Sequence, residues 1–236
     1  ASLNYEEVSE HKKIDKTLSH DSLYGALYSL EKQLEKKDDL SQVERQKALA
    51  QRYLKEFPQG DHHFELEFKL GFIAYKQNNY DEALNRLKPL AKNSKASHEI
   101  KSKSEDIVLD IYNIKKDFKS IQDFAKQIVS MHNSNATDRK QNLNKIIEEA
   151  HYSQIQTEIA QLPLLKQIEQ LKAFNTEHPK TKLARDSYWQ AISLAYSNGY
   201  DVLGAELTQE YVKIFPDDPR KLDATKESVK AFIDAG

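Results

Sequence analysis

One short pattern recurs along the chain and constrains its fold more than any other feature. It consists of a polar turn, a bulky apolar residue, and a small or apolar residue three positions later. The copies pair Leu40 with Val43, Tyr80 with Ala83, Phe118 with Ile121, and Tyr200 with Leu203. The bulky residues are 40, 38 and 82 positions apart, which is the spacing of stacked helix-turn-helix units. The sequence therefore predicts an all-α chain of antiparallel helical pairs stacked into a solenoid.

The composition supports a helical chain without a polyanionic partner. Glycine and proline number six each among 236 residues, too few to punctuate a many-stranded sheet. The 35 basic and 37 acidic residues leave a net charge of −2, which provides no field for collecting nucleic acid or anionic lipid. No run approaches the roughly 20 apolar residues of a membrane helix. We therefore expect neither nucleic acid as a partner nor a membrane span.

The residue types that are missing bear on the cellular compartment. The chain contains no cysteine, which excludes disulfides, thiolate metal sites and cysteine nucleophiles. This fits both a reducing cytosol and a cysteine-poor bacterial envelope protein. The chain opens at Ala1 and its only methionine is Met131, which leaves room for a signal peptide or lipid anchor upstream.

The 3.6-residue period places helices in the first half of the chain. Leucines 23, 27, 30 and 34 form a stripe that predicts a helix over 21–37, followed by a second over 41–57. The segment 64–70 alternates like a strand, but its apolar residues continue to the turn at 78–79, which favours the first helix of a pair. In the helix after Tyr80, Pro89 predicts a kink or an early end. The lysine-rich stretch 92–103 is expected to be a solvated connection.

In the second half, the polar segment 132–138 is the best candidate for a hinge. We expect an N-terminal segment 1–19, repeats over 20–131, and further helical repeats over 132–236 that either continue the first set or form a second one. Helices are expected to restart at 137–138, to begin again at Pro163, and to span 183–197 and 202–215. A short final helix reaching Ile233 would close the stack.

Residues 70–84 resemble a tetratricopeptide repeat. Gly71 stands at the small position where paired helices touch, Tyr80 at the aromatic position of the turn, and Ala83 at the second small position. The resemblance implies a right-handed superhelical solenoid that binds a protein or peptide on its concave face. In the last pair, Ile192 and Leu203 replace the small residues, so looser or differently angled packing is expected there. The pair over 112–128 also has larger residues at its small positions, and the same is expected of its packing.

A second motif narrows the resemblance. Three helices end with an aromatic residue, three residues, an aromatic residue or histidine, and proline; these ends are Tyr53 to Pro58, Phe174 to Pro179, and Tyr211 to Pro216. Such ends are similar to those of repeat proteins of the bacterial cell envelope, among them outer-membrane assembly lipoproteins and Tol-Pal associated periplasmic proteins. The resemblance therefore implies a periplasmic or outer-membrane associated protein, with a cytoplasmic location as the alternative.

The same resemblance names the side chains expected on the concave face. They are Glu65, Phe68, Phe72, Tyr75 and Lys76 in the second pair, Tyr28 near the start, and Trp189 and Tyr196 near the end. Aromatic side chains suit a peptide because they bury a large area at low entropic cost. Each ring has an alternative role in packing against the next helix. The lysine and asparagine set that holds a terminal carboxylate in chaperone-binding repeats is not assembled, and Asp106 and Asp110 oppose such a ligand.

Catalytic patterns are weak in this sequence. It has no phosphate-binding glycine loop, no nucleophile elbow and no zinc helix with paired histidines. One Glu-x-x-His occurs, at Glu148 and His151, whereas a carboxylate-bridged di-iron bundle needs two. The pair His62 and His63 is expected to be solvated at a helix start. We therefore expect no enzyme activity, no metal site and no cofactor.

Three functions remain open from the sequence. The first is a noncatalytic scaffold for a protein or peptide in a bacterial cell-envelope complex. The second is the noncatalytic helical domain of a larger envelope enzyme resembling the lytic transglycosylases. The third is a cytosolic adaptor of the same repeat family.

Overall fold

The computed structural model describes residues 2–10, 16–34, 40–131 and 137–234. Within these ranges every regular element is helical, which confirms the all-α fold class. The helices are α1 (Ser2–Glu10), α2 (Lys16–Leu34), α3 (Leu40–Glu56), α4 (His63–Lys76), α5 (Tyr80–Ala91), α6 (His98–Ile114), α7 (Phe118–Met131), α8 (Thr137–Glu158), α9 (Leu164–Glu177), α10 (Lys182–Ser197), α11 (Asp201–Ile214) and α12 (Lys221–Asp234), with a 3₁₀ turn at Ile159–Gln161. None of these helices has the length and apolar character needed to cross a bilayer.

The first compact unit comprises residues 1–116. Consecutive helices pack against each other from α1 to α6, and α6 also contacts α4. One hydrophobic cluster of its core lies where α2, α3 and α4 meet and includes Leu23, Ala26, Leu27, Leu30, Leu49, Ala50, Tyr53, Leu66 and Leu70. Helix α1 was not expected from the sequence; it packs on α2, where the ring of Tyr5 lies against Gly25.

The alternating segment 64–70 lies in helix α4, as expected. This helix has two apolar faces. Residues two apart on an α-helix point in nearly opposite directions, so apolar side chains at every second position fall on both sides. Leu66 and Leu70 are buried in the core, whereas Phe68 and Phe72 lie on the other face and remain partly exposed. The alternation thus marks a helix that buries one apolar face in the core and leaves the other apolar face partly exposed.

Helices α4 and α5 are joined by a tight turn. Asn78 adopts a left-handed conformation with φ 58°, and the N–H of Asn79 donates to the carbonyl of Ala74 at 2.8 Å. A Cβ built on Gly71 would lie 2.7 Å from the side chain of Leu87. Gly71 therefore lies where the two helices touch, as the sequence predicts, and only a glycine allows them to come this close.

The second compact unit comprises residues 117–236. Here α7 packs on α8, α9 on α10, α10 on α11 and α11 on α12, and α8 also contacts α9 and α10. Its core consists of Ile155, Ile159, Ile168, Leu171, Phe174, Ala184, Tyr188, Ala191, Ile192, Ala195, Leu207, Tyr211 and Phe215. The expected pair over 112–128 falls on α6 and α7, which belong to different units. Residues 132–136 of the expected hinge lie outside the described residues.

The turn between α10 and α11 repeats the turn between α4 and α5. Gly199, with φ 75°, takes the place of Asn78. The N–H of Tyr200 donates to the carbonyl of Ala195 at 3.0 Å, just as the N–H of Asn79 donates to the carbonyl of Ala74. This alignment makes Tyr200 the residue before the helix, whereas Tyr80 is the first residue within it.

The shift of one residue corrects the expectation of looser packing in the last pair. Gly204, and not Leu203, is the counterpart of Ala83. A Cβ on Gly204 would lie 2.8 Å from the ring of Tyr196, so the helices meet closely at a glycine here too. Aligning Tyr200 with Tyr80 placed the small position one residue too early. Helix α5 begins at its aromatic turn residue, whereas α11 begins one residue after its own.

Helices α3, α9 and α11 end in the same aromatic and proline turn. The paired rings are Tyr53 with Phe57, Phe174 with His178, and Tyr211 with Phe215, with centroids 5.4, 4.6 and 5.0 Å apart. In each pair the second residue donates its amide N–H to the carbonyl of the first, at 2.7, 3.0 and 2.8 Å. The following proline has no N–H with which to extend the helix. Each turn leads into another helix, namely α4, α10 or α12.

Two local expectations in the first unit need correction. Of the two effects predicted for Pro89, a kink or an early end, the early end is wrong: helix α5 continues through Pro89 to Ala91, where Leu90 and Ala91 are buried. Helix α6 begins at His98, so the second half of the basic stretch 92–103 is helical. The hydroxyl of Ser97 accepts a hydrogen bond from the N–H of Ile100 at 3.2 Å, an N-cap that the periodicity alone did not indicate.

Candidate functional site

Five of the eight residues expected on the concave face lie together on α4. They are Glu65, Phe68, Phe72, Tyr75 and Lys76. Their spacing of three, four, three and one places them on one side of the helix, opposite the leucines that enter the core. The packing of α4 on α3, α5 and α6 leaves this face partly exposed.

The aromatic side chains on this face form a row along the helix. The rings of Phe68 and Phe72 are 6.2 Å apart and nearly parallel, and those of Phe72 and Tyr75 are 6.3 Å apart. Lys76 holds its Nζ 5.4 Å from the centre of the Phe72 ring, a cation–π contact. Phe72 is 39% exposed, a large fraction for an aromatic side chain inside a row of rings.

A groove of about 570 Å³ runs beside this row, between α4 and the start of α6. Its lining comes from three helices and the cap of α6: Glu31, Glu65, Phe68, Lys69, Phe72, Ser97, Glu99, Ile100 and Lys103. The residues of α6 were missed in the sequence because this stretch was interpreted as a solvated connection. The capping serine at position 97 was the signal that would have found them.

The charges around the groove pair with one another. Lys69 donates to Glu31 at 2.7 Å, and Lys103 donates to Glu99 at 2.6 Å. The hydrogen bond from Lys103 holds the pKa of Glu99 below its usual value. With these charges paired, Phe68, Phe72 and Ile100 supply the apolar part of the groove lining.

The hydroxyl of Tyr24 borders the groove and fixes Glu65. It lies 3.2 and 3.1 Å from the two oxygens of that carboxylate. Burial, together with the negative charge of Glu65, raises the pKa of Tyr24 to about 12, so this hydroxyl remains a donor. The ring of Tyr24 stacks on His62 with centroids 3.3 Å apart, so His62 is half-buried and not solvated as expected.

At the other end of the row, Tyr75 connects α4 to α6. Its hydroxyl donates to Asp110 at 2.6 Å. This hydrogen bond, with a contribution from burial, raises the pKa of Tyr75 above its ordinary value. Asp110, which the sequence suggested would oppose a carboxylate ligand, thus serves to orient an aromatic side chain of the row.

Of the five residues on α4, Glu65, Phe68 and Phe72 line the groove, and the three remaining predicted residues lie on other helices. Tyr28 on α2 is 53% exposed, with Lys32 Nζ 5.7 Å from its ring, and does not line the groove. Trp189 and Tyr196 belong to the second unit. Trp189 packs against Tyr211, with Arg220 5.1 Å from its ring. The ring of Tyr196 lies over Gly204.

The second unit contains a polar cluster that the sequence did not bring together. His151 on α8 has its Nδ1 3.1 Å from Nε2 of His178 and 3.7 Å from Oε2 of Glu177. Burial lowers the pKa of both histidines, and each is also affected by the charges of Glu177 and Lys126. Burial therefore favours the neutral form of both imidazoles. In the sequence, His151 belongs to a di-iron half-motif that lacks its second copy, and His178 is interpreted as a packing ring.

A scan of the sequence against models of protein families finds no match, and a search of curated proteins finds none either. The functional evidence for this chain therefore lies in the geometry of the groove and of the polar cluster.

Proposed function

We propose that this chain is a noncatalytic scaffold of tetratricopeptide-like repeats that binds a segment of a partner protein in the groove beside α4. In this proposal the helical pairs belong to a right-handed superhelical solenoid. The observation that carries it is the row of Phe68, Phe72 and Tyr75 on a helix face that the described neighbouring helices leave partly exposed.

The proposal of a repeat is supported by the joint between α4 and α5. Gly71 sits against Leu87, and Ala83 is fully buried, as close helix pairing requires. The groove takes side chains from α2, α4 and α6, which alternate along the chain with α3 and α5. In a tetratricopeptide-like array these helices line the concave face, which is the face proposed for the partner.

The chemistry of the groove favours a peptide with an apolar or aromatic anchor. Phe68 and Phe72 offer flat apolar surface, and the ion pairs Glu31–Lys69 and Glu99–Lys103 supply a polar rim of both signs. Such a rim selects for matching polar groups and contributes little to affinity, while a central aromatic contributes most of it. A volume of about 570 Å³ accommodates a few side chains of a segment, not a folded domain.

The test uses a displayed random peptide library selected on the wild-type protein. Selected peptides are then measured against Phe72→Ala, and against Ile114→Ala as a matched control with a similarly exposed apolar side chain on α6. We expect the Phe72 variant to lose about 30-fold in affinity, roughly the effect of removing a hot-spot residue worth about 2 kcal/mol. The control should bind like wild type.

Two results would overturn the proposed groove. One is equal binding of the selected peptides by the Phe72 variant and wild type. The other is failure to select any peptide on wild-type protein that is shown to be folded by circular dichroism.

We further propose that the complex lies in the bacterial cell envelope. The support is the resemblance of the aromatic and proline turns to those of envelope repeat proteins. Fusing the full natural gene to alkaline phosphatase, which is active only after export, tests this location. Phosphatase activity in the envelope fraction is expected, and an inactive fusion confined to the cytosol would favour the cytosolic adaptor.

A further inference from the structure

Three potential metal ligands converge at the end of α9. His151 projects from the middle of α8, Glu177 is the last residue of α9, and His178 follows it. One ligand atom from each of these side chains lies within 4.8 Å of the other two. This cluster goes beyond the proposed scaffold function, which makes no use of it.

The turn after α9 explains why His178 points at α8. The N–H of His178 donates to the carbonyl of Phe174, and Pro179 stops the helix there. The imidazole packs against Phe174 at 4.6 Å and faces His151 at 5.3 Å between ring centroids. The backbone thus fixes the His178 ring independently of any ligand.

The other two copies of this turn show what is special about the second. Phe57 and Phe215 occupy the position of His178. The facing ring is His20 in the first copy and Tyr188 in the third. The apolar rings at 57 and 215 show that packing alone does not require an imidazole at this place. In the second copy both rings of the contact are imidazoles, with a carboxylate beside them.

The distances suit a shared metal ion. Two ligand atoms that are each about 2.0–2.1 Å from a tetrahedral zinc ion are about 3.3 Å apart. The observed separations from His151 Nδ1 are 3.1 Å to His178 Nε2 and 3.7 Å to Glu177 Oε2. The Glu177 side chain is 58% exposed, so it can rotate to close the remaining gap.

We propose that His151 Nδ1, His178 Nε2 and the Glu177 carboxylate bind one divalent transition metal ion of the zinc type. Imidazole and carboxylate are ligands of Zn²⁺, Cu²⁺ and Ni²⁺. Three protein ligands leave one tetrahedral position for water or for a group from a partner. The ion would tie α8 to the end of α9 across the connection at 159–163.

Binding requires little chemical change at the site. Without a metal, one of the two facing nitrogens carries a proton and donates a hydrogen bond to the other nitrogen. When the ion binds, that proton moves to the other nitrogen of its own ring, so no net proton is released from the neutral pair. Glu148 and Glu177 contribute negative charge near His178, and Lys126 opposes the cation.

The test is calorimetric titration of the tag-free, chelator-treated full chain with ZnCl₂. We expect one equivalent of Zn²⁺ per chain and a rise of several degrees in Tm under saturating metal. The variant His178→Phe introduces the ring found in the other two turns, so it should fold well. Its affinity for Zn²⁺ should fall about 10-fold or more, because one of three ligands is lost. Glu177→Gln should weaken binding to a similar degree.

The control is His62→Gln, which removes a histidine that also lies near a carboxylate, 3.4 Å from Glu65, but whose ring stacks on Tyr24. It should bind Zn²⁺ like wild type. In the unmodified protein, histidine ¹⁵N spectra should show Zn²⁺ shifting the ring signals of His151 and His178. No binding, or undiminished binding by His178→Phe, would overturn the proposed site.

Discussion

The side chain of Leu87 fills the space into which any side chain at position 71 would project. A Cβ on Gly71 would lie 2.7 Å from both Cγ and Cδ2 of Leu87, closer than real carbon atoms approach. The contact fixes the distance between α4 and α5, and with it the position of the aromatic row on the other side of α4.

Gly71→Ala is therefore expected to destabilise the protein, by about 1–3 kcal/mol, because the overpacked helices must separate. Urea denaturation measures this change. Gly25→Ala in α2 is the control, since its Cβ would meet the movable ring of Tyr5, at 3.3 Å, and should be neutral or slightly stabilising through helix propensity. Equal effects of the two substitutions would refute the close contact.

The same reasoning applies to the corrected position in the last pair. Gly204→Ala should cost about 1–3 kcal/mol of unfolding free energy, because its Cβ would lie 2.8 Å from the Tyr196 ring. In Gly199→Ala the added Cβ would have no described atom within 4 Å. This variant should lose only the free energy of backbone strain at φ 75°, about 1 kcal/mol. Gly199→Asn should be milder still, as Asn78 adopts this conformation in the equivalent turn. A harmless Gly204→Ala would contradict the assigned alignment.

Tyr75→Phe tests whether the hydroxyl of Tyr75 holds α4 to α6. Loss of its hydrogen bond to Asp110 should lower stability by about 0.5–1.5 kcal/mol, measured by chemical denaturation. The ring remains, so peptide affinity should fall less than in Phe72→Ala. Tyr80→Phe removes an exposed hydroxyl that bonds to nearby Asn78, and it serves as the control with little expected effect.

A pH dependence is expected from Asp218, whose side chain is 2% exposed. Its carboxylate accepts hydrogen bonds from the backbone N–H and Nε of Arg220, both at 2.9 Å, and these hold the pKa of Asp218 well below its usual range. A pKa that is lower in the folded chain stabilises the fold above about pH 4, and this contribution is lost as the pH falls further.

Asp218→Asn should accordingly lower the unfolding free energy at pH 7 by about 1–3 kcal/mol. The difference from wild type should shrink as the pH drops below about 4, the ordinary pKa of an aspartate. Denaturation curves at neutral, mildly acidic and strongly acidic pH measure it, with the exposed neighbour Asp217→Asn as control. A difference that stays constant into strong acid would rule out this role for the charge.

Some of the groove could be predicted from the sequence and some could not. The α4 residues were found because Gly71 and Tyr80 gave the repeat alignment and helical geometry supplied the rest. Glu99, Ile100 and Lys103 were missed because a lysine-rich stretch has the composition of a solvated loop, although its second half is helical. Trp189 was assigned to the concave face by its position in the repeat, which did not show that its ring packs against Tyr211 and Arg220.

Local signals in the sequence determined the helices themselves. The 3.6-residue period, the prolines at 163, 179 and 216, and the scarcity of glycine specify where helices run and stop, because these effects act within a few residues. Tertiary structure decided which residues meet. His151 and His178 are 27 positions apart, and their 3.1 Å contact depends on how α8 packs near the end of α9. Such a contact follows from side-chain packing between helices, which no local pattern in the chain encodes.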